Sequence, residues 1–262
     1  MIGFIGGGNM AEAMIKGMVQ SGIKDIMVSE PVEERRFYLE HTYAVKITPD
    51  NREVIRNCGM CILAVKPQHM DAVTEEIADS VTDEKIIISI AAGITLSYLT
   101  SRLNTTKIIR VMPNTPALVQ NGISVLSMCD CLPDKEMRLI REIFMSIGKM
   151  LVLPEKYMDA VTAVSGSGPA FFAYIAEAMI EGGIYAGLDQ DTASELAIHT
   201  MIGTAKMLDT GIPPGRLREM VTSPGGTTAA GLKVLEKNGI KKIFSATIEA
   251  AAQRSKELGR GE

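Results

Sequence analysis

The sequence predicts an α/β fold, an N-terminal doubly wound parallel sheet followed by an all-helical C-terminal domain. Three observations carry this. Short β-branched runs alternate with helical segments through the first 150 residues, the pattern of βαβ units with buried strands. A glycine cluster separates the first strand-like run from the first helix-like one. Past Pro154 the β-branched runs stop and Ala- and Met-rich helical stretches take over. A chain of 262 residues has room for two domains, and the change of character places the expected boundary between 1–154 and 155–262.

Taken in order, Ile2-Gly3-Phe4-Ile5 reads as a strand and 9–21 as a helix, with Met10, Ala13, Met14 and Met18 near helical spacing. Residues 26–29 read as a second strand and 33–41 as a charged helix. Residues 61–65, 86–90 and 108–111 continue as strands, with 123–128 and 150–153 as later edge or return strands. The second half reads as helices over 169–181, 192–208, 227–237 and 241–258. Gly182-Gly183, Gly187, Gly211 with Pro213-Pro214, Pro224-Gly225-Gly226 and Asn238-Gly239 punctuate them. Their Ala and Gly content suits close helix–helix packing, including packing between subunits.

Composition excludes several classes. With 27 Lys+Arg against 31 Asp+Glu the net charge is −4, which argues against a broad nucleic-acid surface. A hydrophobic content of 46% excludes a disordered chain. There is no Trp, and aromatics are 5%, so aliphatic side chains and 17 Met must fill the core. The uncharged stretch 160–176 is broken by Ser165-Gly166-Ser167-Gly168-Pro169 and falls short of a membrane span. The first residues lack a basic segment and are interrupted by glycines, so a cytoplasmic location is expected. Cys58-Gly-Met-Cys61 has metal or redox spacing, and Cys129-Asp-Cys131 could supply two more thiolates. Cys61 opens an apolar strand, however, and the pair precedes that strand rather than following one, so core thiols are expected. His41, His69 and His199 do not cluster, and no metal site is expected.

Gly6-Gly7-Gly8-Asn9-Met10-Ala11 fits the G-x-G-x-x-G/A fingerprint of a Rossmann-type dinucleotide site. Gly6 permits the tight turn, Gly8 lets backbone approach a diphosphate, and Ala11 lets helix and strand pack closely. The diphosphate then meets the helix N-terminus, where free N–H groups and the dipole favour an anion. Glu30 follows 22 residues after Gly8, at the end of the second strand. A carboxylate there accepts from a ribose 2′-OH, as in NAD sites, and repels a 2′-phosphate. Arg35 and Arg36 can pair with that phosphate if they fold back, or else form a solvated helix face. The residues leave NAD and NADP both open. Ala64-Val65-Lys66-Pro67, Ala91-Ala92-Gly93 and Asn114 follow further strands, at the strand ends where open α/β sheets bind ligands.

The helical half carries two further Gly-rich segments before helices: Ser165-Gly166-Ser167-Gly168-Pro169-Ala170 and Ser223-Pro224-Gly225-Gly226-Thr227-Thr228. Consecutive N–H groups in the second suit a small carboxylate, and the threonine hydroxyls add adjustable donors.

These segments, together with Gly3-Phe4-Ile5, Ser89-Ile90-Ala91-Ala92-Gly93 and Met112-Pro113-Asn114-Thr115-Pro116-Ala117, run in order along nearly the whole chain. The combination resembles the pyrroline-5-carboxylate reductase family. The resemblance implies a Rossmann domain, a helical dimerisation domain, interlocked dimers and in some members decamers, as a pentamer of dimers. It implies reduction of pyrroline-5-carboxylate to L-proline by NADPH or, less often, NADH. Cofactor contacts would fall on Gly6, Gly7, Gly8, Asn9, Met10, Ala11, Glu30, Asn51, Ala64, Val65, Lys66, Pro67, Ala91 and Ala92. Substrate contacts would fall on Glu155, Ser223, Gly225, Gly226, Thr227 and Thr228, with Thr228 catalytic, its hydroxyl near the ring nitrogen. Family members that use NADPH commonly carry a small polar residue where Glu30 stands. Two other readings remain at this point: a β-hydroxyacid-type dehydrogenase using Lys206, and a dinucleotide-binding oligomer without catalysis.

Overall fold

The computed structural model describes residues 1–128 and 132–260. Cys129 and Cys131 lie outside the described residues. The chain divides into two compact units, Met1–Ser167 with Glu249–Glu262, and Gly168–Ile248.

The first unit holds eight strands: β1 (Ile2–Ile5), β2 (Ile26–Ser29), β3 (Lys46–Thr48), β4 (Met60–Leu63), β5 (Ile86–Ser89), β6 (Ile108–Met112), β7 (Gly122–Met128) and β8 (Gly148–Val152). They form one sheet in the order β3-β2-β1-β4-β5-β6-β7-β8. Pairing is parallel from β3 to β6. Strand β7 returns antiparallel to β6, and β8 closes the edge parallel to β7. The order reverses between β1 and β4, which makes the carboxyl end of β1 a topological switch point.

Alternation along the strands feeds two cores. Phe4, Ile62, Ile88 and Ile109 face one side, against Met14, Ile15 and Met18 of α1 (Asn9–Gln20) and Ile140, Ile143 and Phe144 of α6 (Asp134–Met145). Ile5, Cys61, Leu63, Ile87 and Ile108 face the other. There they meet Val54 and Ile55 of α3 (Asn51–Asn57), Met70, Val73 and Ile77 of α4 (Met70–Ile77) and Leu99 of α5 (Leu96–Arg102). Each fully buried aliphatic or Phe side chain contributes about 1.5–3 kcal/mol. Two glycines allow the helices to sit this close: a Cβ on Gly3 would stand 2.4 Å from Val54 Cγ1, and one on Gly17 would stand 2.7 Å from the Ser146 carbonyl oxygen. Helix α2 (Glu33–Tyr43) is mostly exposed and buries Leu39. Cys58 and Cys61 are buried in the second core. The hydrogen bond with Cys58 and burial push the Cys61 thiol up, as expected of a packing residue rather than a nucleophile.

Beyond Val152 every regular element is helical among the described residues. A short helix, α7 (Met158–Val161), runs into a π-helical turn over Thr162–Gly166. The second unit is built on α8 (Gly168–Tyr185), α9 (Gln190–Asp209), α10 (Pro214–Met220), α11 (Thr227–Lys237) and the start of α12 (Ile240–Arg260). The α8–α9 turn is sharp: Gly187 takes φ +103°, and Leu188 N–H donates to the Gly183 carbonyl. Asp189 then caps α9 by accepting from Thr192 N–H at 2.9 Å. No helix among the described residues is long and apolar enough to cross a membrane.

One expectation is corrected. Residues 165–170 do not form an open glycine loop: Ser165 and Gly166 belong to the π-turn, and Ser167 N–H closes it on the Thr162 carbonyl at 2.8 Å. Gly168 then opens α8. Of the two readings left open for Arg35 and Arg36, the structure shows the folded-back one, onto the glycine loop and the end of β2.

Candidate active site

The glycine loop leaves β1 at the switch point and enters α1. Gly6 adopts φ +95°, and a Cβ there would lie 2.9 Å from the Ala64 carbonyl oxygen. Only glycine meets both conditions. Gly6 N–H donates to the Ser29 carbonyl at 2.9 Å, which binds the loop to β2. Gly8 caps α1 with an extended backbone and no side-chain cap. The α1 ladder starts from Glu12 N–H on the Gly8 carbonyl at 2.9 Å, so the N–H groups of Asn9, Met10 and Ala11 have no partner within the helix. A Cβ on Gly8 would meet nothing within 4 Å. This is an open, dipole-favoured cradle of free donors, and a diphosphate fits it.

Glu30 sits at the end of β2, against this loop. Its Oε2 accepts from Gly7 N–H at 2.9 Å and its Oε1 from Val32 N–H at 3.0 Å. Arg35 Nε donates to the Gly7 carbonyl at 2.7 Å, and its Nη2 pairs with Glu12 Oε2 at 2.6 Å. Arg36 Nη1 donates to the Glu30 and Pro31 carbonyls at 2.7 and 2.8 Å. Asn51, at the start of α3, is fixed from both sides: its Oδ1 accepts from Ser29 Oγ at 2.6 Å and its Nδ2 donates to Glu76 Oε2 at 2.8 Å. Ala64, Val65, Lys66 and Pro67 leave β4 beside Gly6, with Ala64 N–H donating to the Ile5 carbonyl. Ala91 and Ala92 leave β5, where Ser89 Oγ accepts from Ala91 N–H at 3.3 Å. The carboxyl edge of the sheet therefore gathers all fourteen of the cofactor-contact residues the sequence singled out, from Gly6 through Ala92.

Glu155 belongs to the first unit. Its Oε1 accepts from Leu96 N–H at 2.8 Å, at the N-terminus of α5, and from Arg110 Nη1 at 3.1 Å. Arg110 is only 5% exposed, and a buried guanidinium requires such a partner. Sequence reading missed Arg110 because it sits in a β-branched run, Ile108-Ile109-Arg110-Val111. Only the pairing with Glu155, 45 residues away, distinguishes it.

In the second unit, Ser223, Pro224, Gly225 and Gly226 make a turn closed by Gly226 N–H on the Ser223 carbonyl at 3.0 Å. Gly225 takes φ +69°. Gly226 caps α11 without a side-chain acceptor, and Ala230 N–H on the Gly226 carbonyl starts the ladder. The N–H groups of Thr227, Thr228 and Ala229 have no partner within the helix. Thr227 is exposed and Thr228 half-buried. This second helix tip suits a small carboxylate. Lys206 lies on an exposed stretch of α9.

Residues 155–258 match the family model for pyrroline-5-carboxylate reductase dimerisation. Residues 1–93 match that for the coenzyme F420-dependent NADP oxidoreductases. The pyrroline-5-carboxylate reductase of Methanosarcina acetivorans is 40% identical over 99% of this chain and 98% of its own length. Two solved structures superpose on nearly the whole fold. The Coxiella burnetii pyrroline-5-carboxylate reductase has a TM-score of 0.92 at 35% identity, covering 98% of this chain and 97% of that one. The Plasmodium falciparum pyrroline carboxylate reductase, solved with NADP bound, has 0.87 at 30% identity and the same coverage. On this similarity along its whole length, the chain belongs to the pyrroline-5-carboxylate reductase family.

Proposed function

We propose that this protein reduces 1-pyrroline-5-carboxylate to L-proline with NADPH or NADH, the final step of proline biosynthesis. The observation that carries the reading is full-length membership of the family combined with a diphosphate cradle at the switch point of the sheet. The NADP bound to the Plasmodium falciparum relative supports NADPH as a cofactor.

When bound, the reduced nicotinamide supplies the hydride that the C=N carbon receives. The chain's own task is to bind, orient and exclude water. Gly6 to Ala11 hold the diphosphate, and Asn51, Ala64 to Pro67, Ala91 and Ala92 line the remainder of the dinucleotide. Ser223, Gly225, Gly226 and Thr227 hold the substrate carboxylate on the α11 tip. Thr228 Oγ1 hydrogen-bonds the ring nitrogen, whose protonated form makes the imine carbon more electrophilic. Glu155 contributes a substrate-side carboxylate fixed by Arg110. The scheme needs no protein nucleophile, and Lys206, exposed on α9, has no part in it.

The protein works as a homo-oligomer, at least a dimer, with a pentamer of dimers as the higher assembly the family resemblance suggests. Helix α8 supports this. It is apolar almost all round, yet buries only Gly168, and leaves Phe172 61% and Tyr174 74% exposed. Such a helix calls for a covering surface. A cytoplasmic location belongs to the same proposal.

The direct test follows loss of reduced-nicotinamide absorbance when pyrroline-5-carboxylate is added, with NADPH and NADH in parallel, and identifies L-proline in the product. Turnover that depends on the imine is expected. Oxidation of a hydroxyacid without activity on the imine would overturn the reading.

A further inference from the structure

We propose that Glu30 sets the dinucleotide selectivity of this chain, so that it takes NADH in preference to NADPH; this rests on the dinucleotide part of the proposed function. The carboxylate is not a loose surface group. Oε2 accepts from Gly7 N–H at 2.9 Å and Oε1 from Val32 N–H at 3.0 Å, so both oxygens are fixed at the end of β2, beside the loop that would carry the diphosphate. A carboxylate has about four lone-pair sites. Two are filled by the backbone, and each oxygen keeps one for a hydroxyl donor. A ribose with free 2′- and 3′-hydroxyls supplies two donors. A 2′-phosphate supplies only oxygens and negative charge, and must sit against a carboxylate that cannot swing away without giving up both backbone bonds.

The two arginines that would otherwise welcome a phosphate are drawn elsewhere. Arg35 is bound through Nε to the Gly7 carbonyl and through Nη2 to Glu12. Arg36 places Nη1 on the Glu30 and Pro31 carbonyls. Both guanidiniums brace the loop and the strand end that hold Glu30 in position. NADPH remains a cofactor, the weaker of the two.

The test is equilibrium binding, measured by calorimetry with NADH and with NADPH on the full-length protein, wild type, Glu30→Ser and Glu30→Gln. Wild type is expected to bind NADH at least about tenfold more tightly. Glu30→Ser should move the NADPH-to-NADH affinity ratio by at least about tenfold toward NADPH. Glu30→Gln keeps the side-chain length and one acceptor for the loop, so it should move the ratio the same way. It decides the matter alone if the serine variant does not fold. Three results would overturn the proposal: tighter NADPH binding by wild type, an unchanged ratio in both variants, or an equal loss of both dinucleotides, which would make Glu30 a loop brace only. Failure of wild type to bind either dinucleotide would overturn both this and the reading beneath it. NADH bound with the stated preference by a chain that does not reduce the imine would overturn the activity and support the role of Glu30.

Discussion

Gly6 and Gly8 belong to one loop but answer to different demands. Gly6 is held by backbone geometry, with a positive φ and the Ala64 carbonyl where a Cβ would stand. Gly6→Ala is expected to destabilise the fold by about 1–3 kcal/mol, read as a lower Tm. Gly8 has open space in front of it, and only a bound diphosphate would meet a side chain there. Gly8→Ala should cost the fold about 1 kcal/mol or less through weaker capping, yet raise the dinucleotide Kd by about tenfold or more, measured by calorimetry. Thr228→Ala should lower kcat/KM for the imine by about 10–1000-fold, the range for losing one positioned donor. At this scale the sequence was legible where spacing encodes the chemistry: the three glycines, Ala11 and Glu30 stand in the structure where the fingerprint places them. The partners of Arg35 and Arg36 were not, because the Gly7 and Glu30 carbonyls and the Glu12 carboxylate are brought near only by folding.

At the scale of elements, Glu12 joins α1 to α2. Its Oε1 accepts from Tyr38 and Tyr43 at 2.8 Å each, and its Oε2 pairs with Arg35. Burial pushes the carboxyl up, but the bonds from Arg35, Tyr38 and Tyr43 outweigh it and hold it below its ordinary value of 4.5. Burial and the same Glu12 contact push the Tyr43 phenol up. A depressed folded-state value means Glu12 adds stability above the ordinary carboxylate range and loses it as pH falls through the folded value. Glu12→Gln should therefore lower Tm at pH 7 and flatten its fall between about pH 5 and pH 3, followed by thermal melts. Strong elements were legible from periodicity: α11 occupies the expected 227–237, and the parallel strands fall within a residue or two of their apolar runs. Strand β3 was not, since Lys46–Thr48 is three residues long and exists by pairing with β2. Helix α10 and the π-turn escaped for a like reason: Pro and Gly, read as breakers, are absorbed at a helix N-terminus and inside a helical run.

For the whole molecule, the switch from βαβ alternation to Ala-rich helices announced the two architectures. The exposed apolar surface of α8 could not be seen from its pattern, which reads equally as a buried core helix. That surface gives a prediction about assembly. Light scattering should find at least a dimer, and Phe172→Asp combined with Tyr174→Asp should shift the protein to a smaller species with loss of turnover. The proposed function rests on a division of labour between two glycine-capped helix tips, α1 for the dinucleotide and α11 for the ring acid. It is tested most directly by measuring dinucleotide Kd and kcat/KM for the imine side by side in Gly8→Ala and Thr228→Ala. Gly8→Ala is expected to lose dinucleotide affinity, whereas Thr228→Ala keeps that affinity and loses turnover. An unchanged Kd in Gly8→Ala, or full turnover in Thr228→Ala, would contradict it.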